Sequence, residues 1–220
     1  MNLEKLQNRN PAMDILRIVA VLCVISIHFF YHTGYYSTTA DNVPMYFATV
    51  LRTLFSVCVP LFMILSGFLL CNKTLKKGYY SGIRKTIIVY ILVAIACRIY
   101  KSCNGSYTLT PLSGFMGIFD FTGANYSWYI EMYIGLFLIV PFLNIIYKNL
   151  DSRKQKNILL ITLIAITILP SLFNAFKFDS YEWWANPATD TDTQKLMPSW
   201  WVGIYPITYY FTGCYIREYG

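Results

Sequence analysis

Four stretches of the chain, residues 18–40, 53–72, 157–176 and 196–216, run for 20 to 23 residues without a single Asp, Glu, Lys or Arg. Nothing else in the sequence restricts the fold as much. A hydrocarbon layer about 30 Å thick is crossed by roughly 20 helical residues, and a helix satisfies its backbone polar groups within its own segment. Two shorter apolar runs join the four. Ile83–Tyr100 carries Arg84, Lys85 and Arg98 near its ends, and Trp128–Tyr147 carries Glu131 a turn inside its start. Long cationic side chains near the end of a span reach the interface, so Arg98 is expected to snorkel there.

The chain is therefore expected to be all-α, a polytopic transmembrane helix bundle of about six spans. They are read at about 14–33, 45–70, 83–101, 128–147, 158–176 and 199–217, within a single membrane domain over residues 1–220. Hydrophobic residues make up 56% and charged residues only 13% of the 220, against about 25% charged in soluble domains. Mean hydropathy is +0.44. So few charges cannot cover a soluble surface, and the same composition excludes a disordered chain, a disulfide-rich secreted miniprotein and a nucleic-acid binder with a basic groove. The first apolar stretch outlasts the 7 to 15 residues of a signal-peptide core and has no small-x-small site after it, so it is expected to stay as an anchor. Cys23, Cys58, Cys71, Cys97 and Cys214 lie in or beside apolar runs, no Cys-x-x-Cys pair occurs, and there are two histidines. No metal site is expected from that set.

Orientation follows from the basic residues in alternate connections, because cytoplasmic loops keep an excess of Lys and Arg. Lys5 and Arg9 precede the first span. Lys73, Lys76, Lys77, Arg84 and Lys85 flank the second connection, and Lys148, Arg153, Lys154 and Lys156 fill the fourth. The amino terminus is thus expected in the cytoplasm, and the net charge of +7 needs no basic-groove ligand to explain it. Trp128, Trp183, Trp184, Trp200 and Trp201 fall near the opposite edge, as an aromatic belt would. The long outer connections, 102–127 and 177–198, are expected as turn-rich loops over the outer mouth.

Ionisable groups inside a span are costly, and each is a functional candidate unless it reaches an interface. Arg17 lies a turn inside the first span with Asp14 as a local partner, which makes it an anchor when taken alone. His28 sits among Ile25, Ile27, Phe29 and Phe30. Two readings stand for it: a hydrogen-bonded core histidine, or a working imidazole. Arg17 and His28 are eleven residues apart, which at about 100° and 1.5 Å per residue puts them on nearly one face, roughly 16 Å apart. His32 lies one turn farther on that side; i,i+4 histidines can bind zinc, but the carboxylate such motifs supply is missing, and a mouth-lining role is favoured. Arg52 and Glu131 are expected at a depth similar to His28. Either they form a cluster with it, or they make a purely structural ion pair.

The first span, Asp14-Ile-Leu-Arg-Ile-Val-Ala through Ile27-His28, resembles the opening helix of acyltransferase family 3, with its Arg-x10-His motif at Arg17 and His28. Val59-Pro60-Leu61-Phe62-Met63-Ile64-Leu65-Ser66-Gly67-Phe68-Leu69 is similar to that family's second-span signature. Arg84 at the entry to the third span, Ser127-Trp128-Tyr129, Gly135-Leu136-Phe137-Leu138 and Tyr205-Pro206-Ile207-Thr208-Tyr209-Tyr210-Phe211-Thr212-Gly213 continue the resemblance. Family members carry more spans than the six read here, so the resemblance implies an amino-terminal portion.

The resemblance implies an integral-membrane O-acyltransferase that moves an acyl group, commonly acetyl, from acyl-CoA to a hydroxyl of a surface carbohydrate or envelope molecule. Arg17 and Arg84 would contact the donor, with Lys85 beside them, because coenzyme A brings phosphate charges. His28 would take the acceptor's proton or carry the acyl group covalently. Arg52 and Glu131 would complete the catalytic cluster, and His32 and Trp128 would meet the acceptor. Acyl-CoA is a donor substrate here, and no tightly bound cofactor is expected. The setting that goes with this reading is a bacterial plasma membrane crossed several times, with the lipid bilayer as partner and no nucleic acid. Two alternatives remain open: a non-catalytic membrane module that binds an envelope ligand or acts as a sensor, and a transporter, for which no inverted repeat is visible.

Overall fold

The computed structural model describes residues 10–38, 41–106, 110–121, 127–177 and 193–220. Every regular element among them is helical. The α-helices are α1 (Pro11–His32), α2 (Val43–Phe55), α3 (Cys58–Leu70), α4 (Arg84–Cys103), α5 (Pro111–Phe119), α6 (Trp128–Lys148), α7 (Arg153–Phe173) and α8 (Tyr205–Tyr219). Three 3₁₀ turns, Tyr35–Ser37, Tyr79–Ile83 and Ser199–Ile204, enter or link them. Five of the expected spans are long and apolar enough to cross a membrane: Pro11–His32, Val43–Leu70, Tyr79–Cys103, Trp128–Lys148 and Arg153–Phe173. The sixth differs from a plain span. Residues 199–217 are divided between a 3₁₀ turn and the 15-residue helix α8, which alone rises only about 22 Å.

The second expected span, 45–70, is also not one continuous helix. Pro60 has no N–H to give the Ser56 carbonyl and its ring would crowd that carbonyl, so the chain breaks at Ser56–Val57. Ser56 N–H is shared between the Arg52 and Thr53 carbonyls (3.1 and 3.2 Å), Val57 N–H bonds Leu54 (3.3 Å), and the helix restarts with Leu61 N–H on Val57 (2.9 Å).

The chain falls into two compact units, residues 1–71 with 151–220, and residues 72–150. In the first, α3 and α8 cross at glycines. A Cβ on Gly67 would overlap the Tyr210 carbonyl, and one on Gly213 would overlap that of Ile64, the small-residue contact that draws helices together in lipid. Tyr210 and Met63 are fully buried beside it. Thr167 of α7 and Thr208 of α8 share a hydrogen bond of 3.3 Å. At the far end of α8, Lys156 Nζ reaches both oxygens of Glu218 at 2.7 and 2.9 Å. Arg153 Nε donates to the Tyr215 hydroxyl at 2.9 Å and its guanidinium lies 4.9 Å from the Tyr219 ring.

In the second unit, Pro141 inside α6 leaves the Phe137 carbonyl without its helical donor. The Tyr79 hydroxyl supplies one at 2.8 Å, with the Tyr79 and Phe137 rings stacked at 4.7 Å. Asn144, buried in the same helix, donates to the Lys73 carbonyl at 2.7 Å. The outer connection 102–127, expected to be a loop, contains helix α5. Thr110 caps it by accepting from Ser113 N–H (3.1 Å), Ser113 Oγ accepts from Thr110 N–H (3.0 Å), and Pro111 opens the first turn. Helix α5 packs on α4 through Arg98, which is buried rather than snorkelling: its guanidinium donates to the Ser113 carbonyl and lies where a Cβ on Gly117 would be. Tyr90 adds a hydrogen bond of 2.8 Å to the Ile118 carbonyl.

Candidate functional site

The motif helix α1 is uninterrupted from Pro11 to His32, capped by the Asn10 side chain on Ala12 N–H (3.0 Å). Arg17 and His28 therefore keep their expected spacing on one helix, and both are half-buried. Arg17 forms an ion pair with Asp14 three residues earlier. That acid sits in the first turn, where the helix dipole favours it. The local pairing read from the sequence is thus present.

Helix α2 runs back along α1. Phe30 meets Phe55 at 6.3 Å between ring centres, and the Tyr35 hydroxyl donates to Thr49 Oγ1 at 2.9 Å. In this antiparallel register, His28, two residues before Phe30, comes level with the Ser56–Val57 break two residues after Phe55. The imidazole is therefore placed on α1 at the depth where the neighbouring span loses its regular hydrogen-bond ladder. A broken span is tolerated in a membrane where its backbone is covered by protein or lines a cavity.

Arg52 goes to an aromatic corner one turn above the break. Its Nε donates to the Tyr36 hydroxyl at 3.1 Å, and its guanidinium lies 5.5 Å from the Tyr36 ring. Tyr31 stands edge-on to both Tyr36 and His32, at 6.1 and 5.3 Å. His32 is exposed as the last residue of α1. Arg52 and His32 are thus joined through Tyr36 and Tyr31, two residues that sequence reasoning did not single out. The signal available was the run of aromatic residues between 29 and 36.

The remaining residues lie in the other unit. Arg84 and Lys85 are the first two residues of α4, both exposed, in a first turn with no acid. Two cations at the positive end of a helix dipole, without a carboxylate to offset them, favour an anion there. Trp128 is the exposed first residue of α6, and Glu131 is exposed in that helix's first turn. Of the residues expected to group, His28 and Arg52 lie in the first unit and Glu131 in the second. Trp200 and Trp201 lie in the turn before α8, while Trp183 and Trp184 lie outside the described residues. Among the described residues, no group of three or more His, Cys, Asp or Glu is placed to hold a metal ion.

Several apolar spans joined into helical units, with ionisable side chains carried inside them, define a multi-pass membrane protein. The particular kind comes from the sequence as a whole. Residues 10–220 match the family model of an acyltransferase domain, acyltransferase family 3, and the chain belongs to that family. No curated protein and no solved structure matches it.

Proposed function

We propose that this membrane acyltransferase moves an acyl group, acetyl in the simplest case, from acyl-CoA to a hydroxyl of a cell-surface carbohydrate or related envelope molecule at a bacterial plasma membrane. The observation that carries the reading is the placement of Arg17 and His28 on one unbroken helix, with His28 level with the break between α2 and α3. Acyl transfer to an alcohol needs a base at the hydroxyl and a cation for the donor's phosphates, about one pantetheine arm away from each other. Arg17, with Arg84 and Lys85, supplies the cations; the His28 imidazole supplies the base.

In the step itself, His28 takes the proton as the acceptor oxygen attacks the thioester carbonyl. The new C–O bond forms, the C–S bond breaks, and the proton returns to the departing thiolate. Arg52 stabilises the oxyanion, Glu131 orients and offsets the charged groups, and His32 and Trp128 hold the acceptor near the mouth.

The test is thiol release from acetyl-CoA by membranes carrying the full chain, with an envelope polysaccharide as acceptor. His28→Ala should abolish release, and Arg17→Ala should raise the KM for the donor with little change in kcat. Transfer that persists in His28→Ala removes the imidazole from the mechanism. An unchanged KM in Arg17→Ala removes Arg17 from the donor site.

A further inference from the structure

Only part of the Arg17 guanidinium is engaged within the protein. Asp14, one turn earlier on α1, accepts from Nη1 through Oδ1. Nη1 is the nitrogen on the stem side of the plane. Nε and Nη2 lie along the other edge, where two N–H bonds run parallel and match two oxygens of one phosphate. Among the described residues neither nitrogen of that edge has an acceptor. The Arg17 side chain is 41% exposed, so a ligand can reach the free edge while the opposite side is pinned. Gripping a phosphate costs an arginine rotamer freedom, and the bond to Asp14 removes part of that freedom beforehand. The same bond sets the distance to His28. Along the unbroken α1 the rise to His28 is about 16 Å from Arg17 and about 21 Å from Asp14, and the guanidinium is drawn between those two levels. In acyl-CoA about 13 bonds separate the thioester sulfur from the nearer phosphorus of the pyrophosphate, roughly 16 Å in an extended chain. The 3′-phosphate lies farther off, beyond the pyrophosphate on the ribose.

We infer that Asp14 is a positioning residue of the donor site, aiming the Nε–Nη2 edge of Arg17 at the pyrophosphate of acyl-CoA. The inference rests on the proposed donor role of Arg17 and adds to it the residue that orients the cation and the phosphate that the cation meets. What Asp14 contributes is its acceptor oxygen. Its charge works the other way, because a carboxylate beside the fork repels an incoming phosphate. A purely structural Asp14 would act through that charge instead, as an acid in the first turn of a helix does. The two roles therefore separate when the oxygen is kept and the charge removed.

Donor kinetics in membranes carrying the full chain, followed by thiol release, test the assignment. Asp14→Ala should raise the KM for acetyl-CoA about fivefold with kcat unchanged, the effect of losing one orienting hydrogen bond. Asp14→Asn keeps the oxygen and sheds the charge, so its KM should stay at or below that of the unaltered chain. Should Asp14→Ala fail to fold, Asp14→Leu removes the same oxygen. Equal KM values in the Asn variant and the variant lacking the oxygen overturn the inference, as does a lowered thermal midpoint in both with KM unmoved. The fold-rise in KM caused by Arg17→Ala should be the same with acetyl-CoA and with 3′-dephospho-acetyl-CoA. A rise that vanishes without the 3′-phosphate assigns the fork to that group and overturns the inference while leaving Arg17 in the donor site. An Arg17→Ala KM that moves with neither donor is the separate failure of the donor role itself.

Discussion

Two helix pairs in the same unit are built on opposite rules. Where α3 crosses α8, Gly67 and Gly213 bring backbone against backbone, and α8 buries Thr208, Tyr210, Phe211, Gly213 and Cys214. Where α1 runs beside α2, only Ala20 and Cys23 of α1 are buried, and no residue of α2 is. The residues with chemistry to offer, Arg17, His28, Arg52 and His32, all lie on the loosely packed pair. Under the proposed function, rigid support and reactive groups fall on different helices, as expected when a site must admit ligands without unfolding its frame.

The contrast breaks most visibly if His28 proves structural. His28→Ala should lower acyl transfer by about 10²- to 10⁴-fold, the range of a lost general base, while the thermal midpoint in detergent stays near that of the unaltered chain. A large fall in midpoint would place His28 with the frame. The reverse is expected at the crossing: Gly213→Leu should cost about 1–3 kcal/mol or more through overpacking, read as a lower midpoint or loss of folded protein. Gly135→Leu, whose site has open space around it, should leave the midpoint nearly unmoved. Removing the carboxylate of the ion pair at the end of α8 by Glu218→Gln should cost about 1–2 kcal/mol, because the Lys156 side chain is buried while Glu218 is partly exposed. Smaller again, Tyr36→Phe should cost about 0.5 kcal/mol by depriving Arg52 Nε of its acceptor at an exposed site; a measurable change in acceptor KM without a change in midpoint would sharpen the division between site and frame.

The spans were legible because burial in hydrocarbon needs long uncharged runs, and α1 carries both its start signal, Asn10-Pro11, and the motif within one such run. Hydropathy could not reveal the break at Ser56–Val57. Its cause is a single proline inside a strongly apolar stretch, and proline lowers average hydropathy very little. Helix α5 escaped because nine residues containing two glycines and a serine have no sustained apolar period. Arg98 was misplaced for a related reason. Its acceptor is the backbone carbonyl of Ser113 and its berth is the missing side chain of Gly117, neither of which a residue pattern advertises. Arg52 stands out in the sequence as a cation within an apolar run, but its observed partner, Tyr36, is uncharged, and a search for opposite charges passes over it.

The hydroxyl that Tyr79 lends to the Phe137 carbonyl ties the fate of Tyr79 to that of Pro141, 62 residues along the chain. With Pro141 in place, losing that hydroxyl strands an acceptor; with alanine at 141, the helix repairs its own ladder and the hydroxyl becomes dispensable. Substitutions at 79 and 141 should therefore be strongly non-additive, and a lineage that discards the ring imino acid is free to discard the phenol as well.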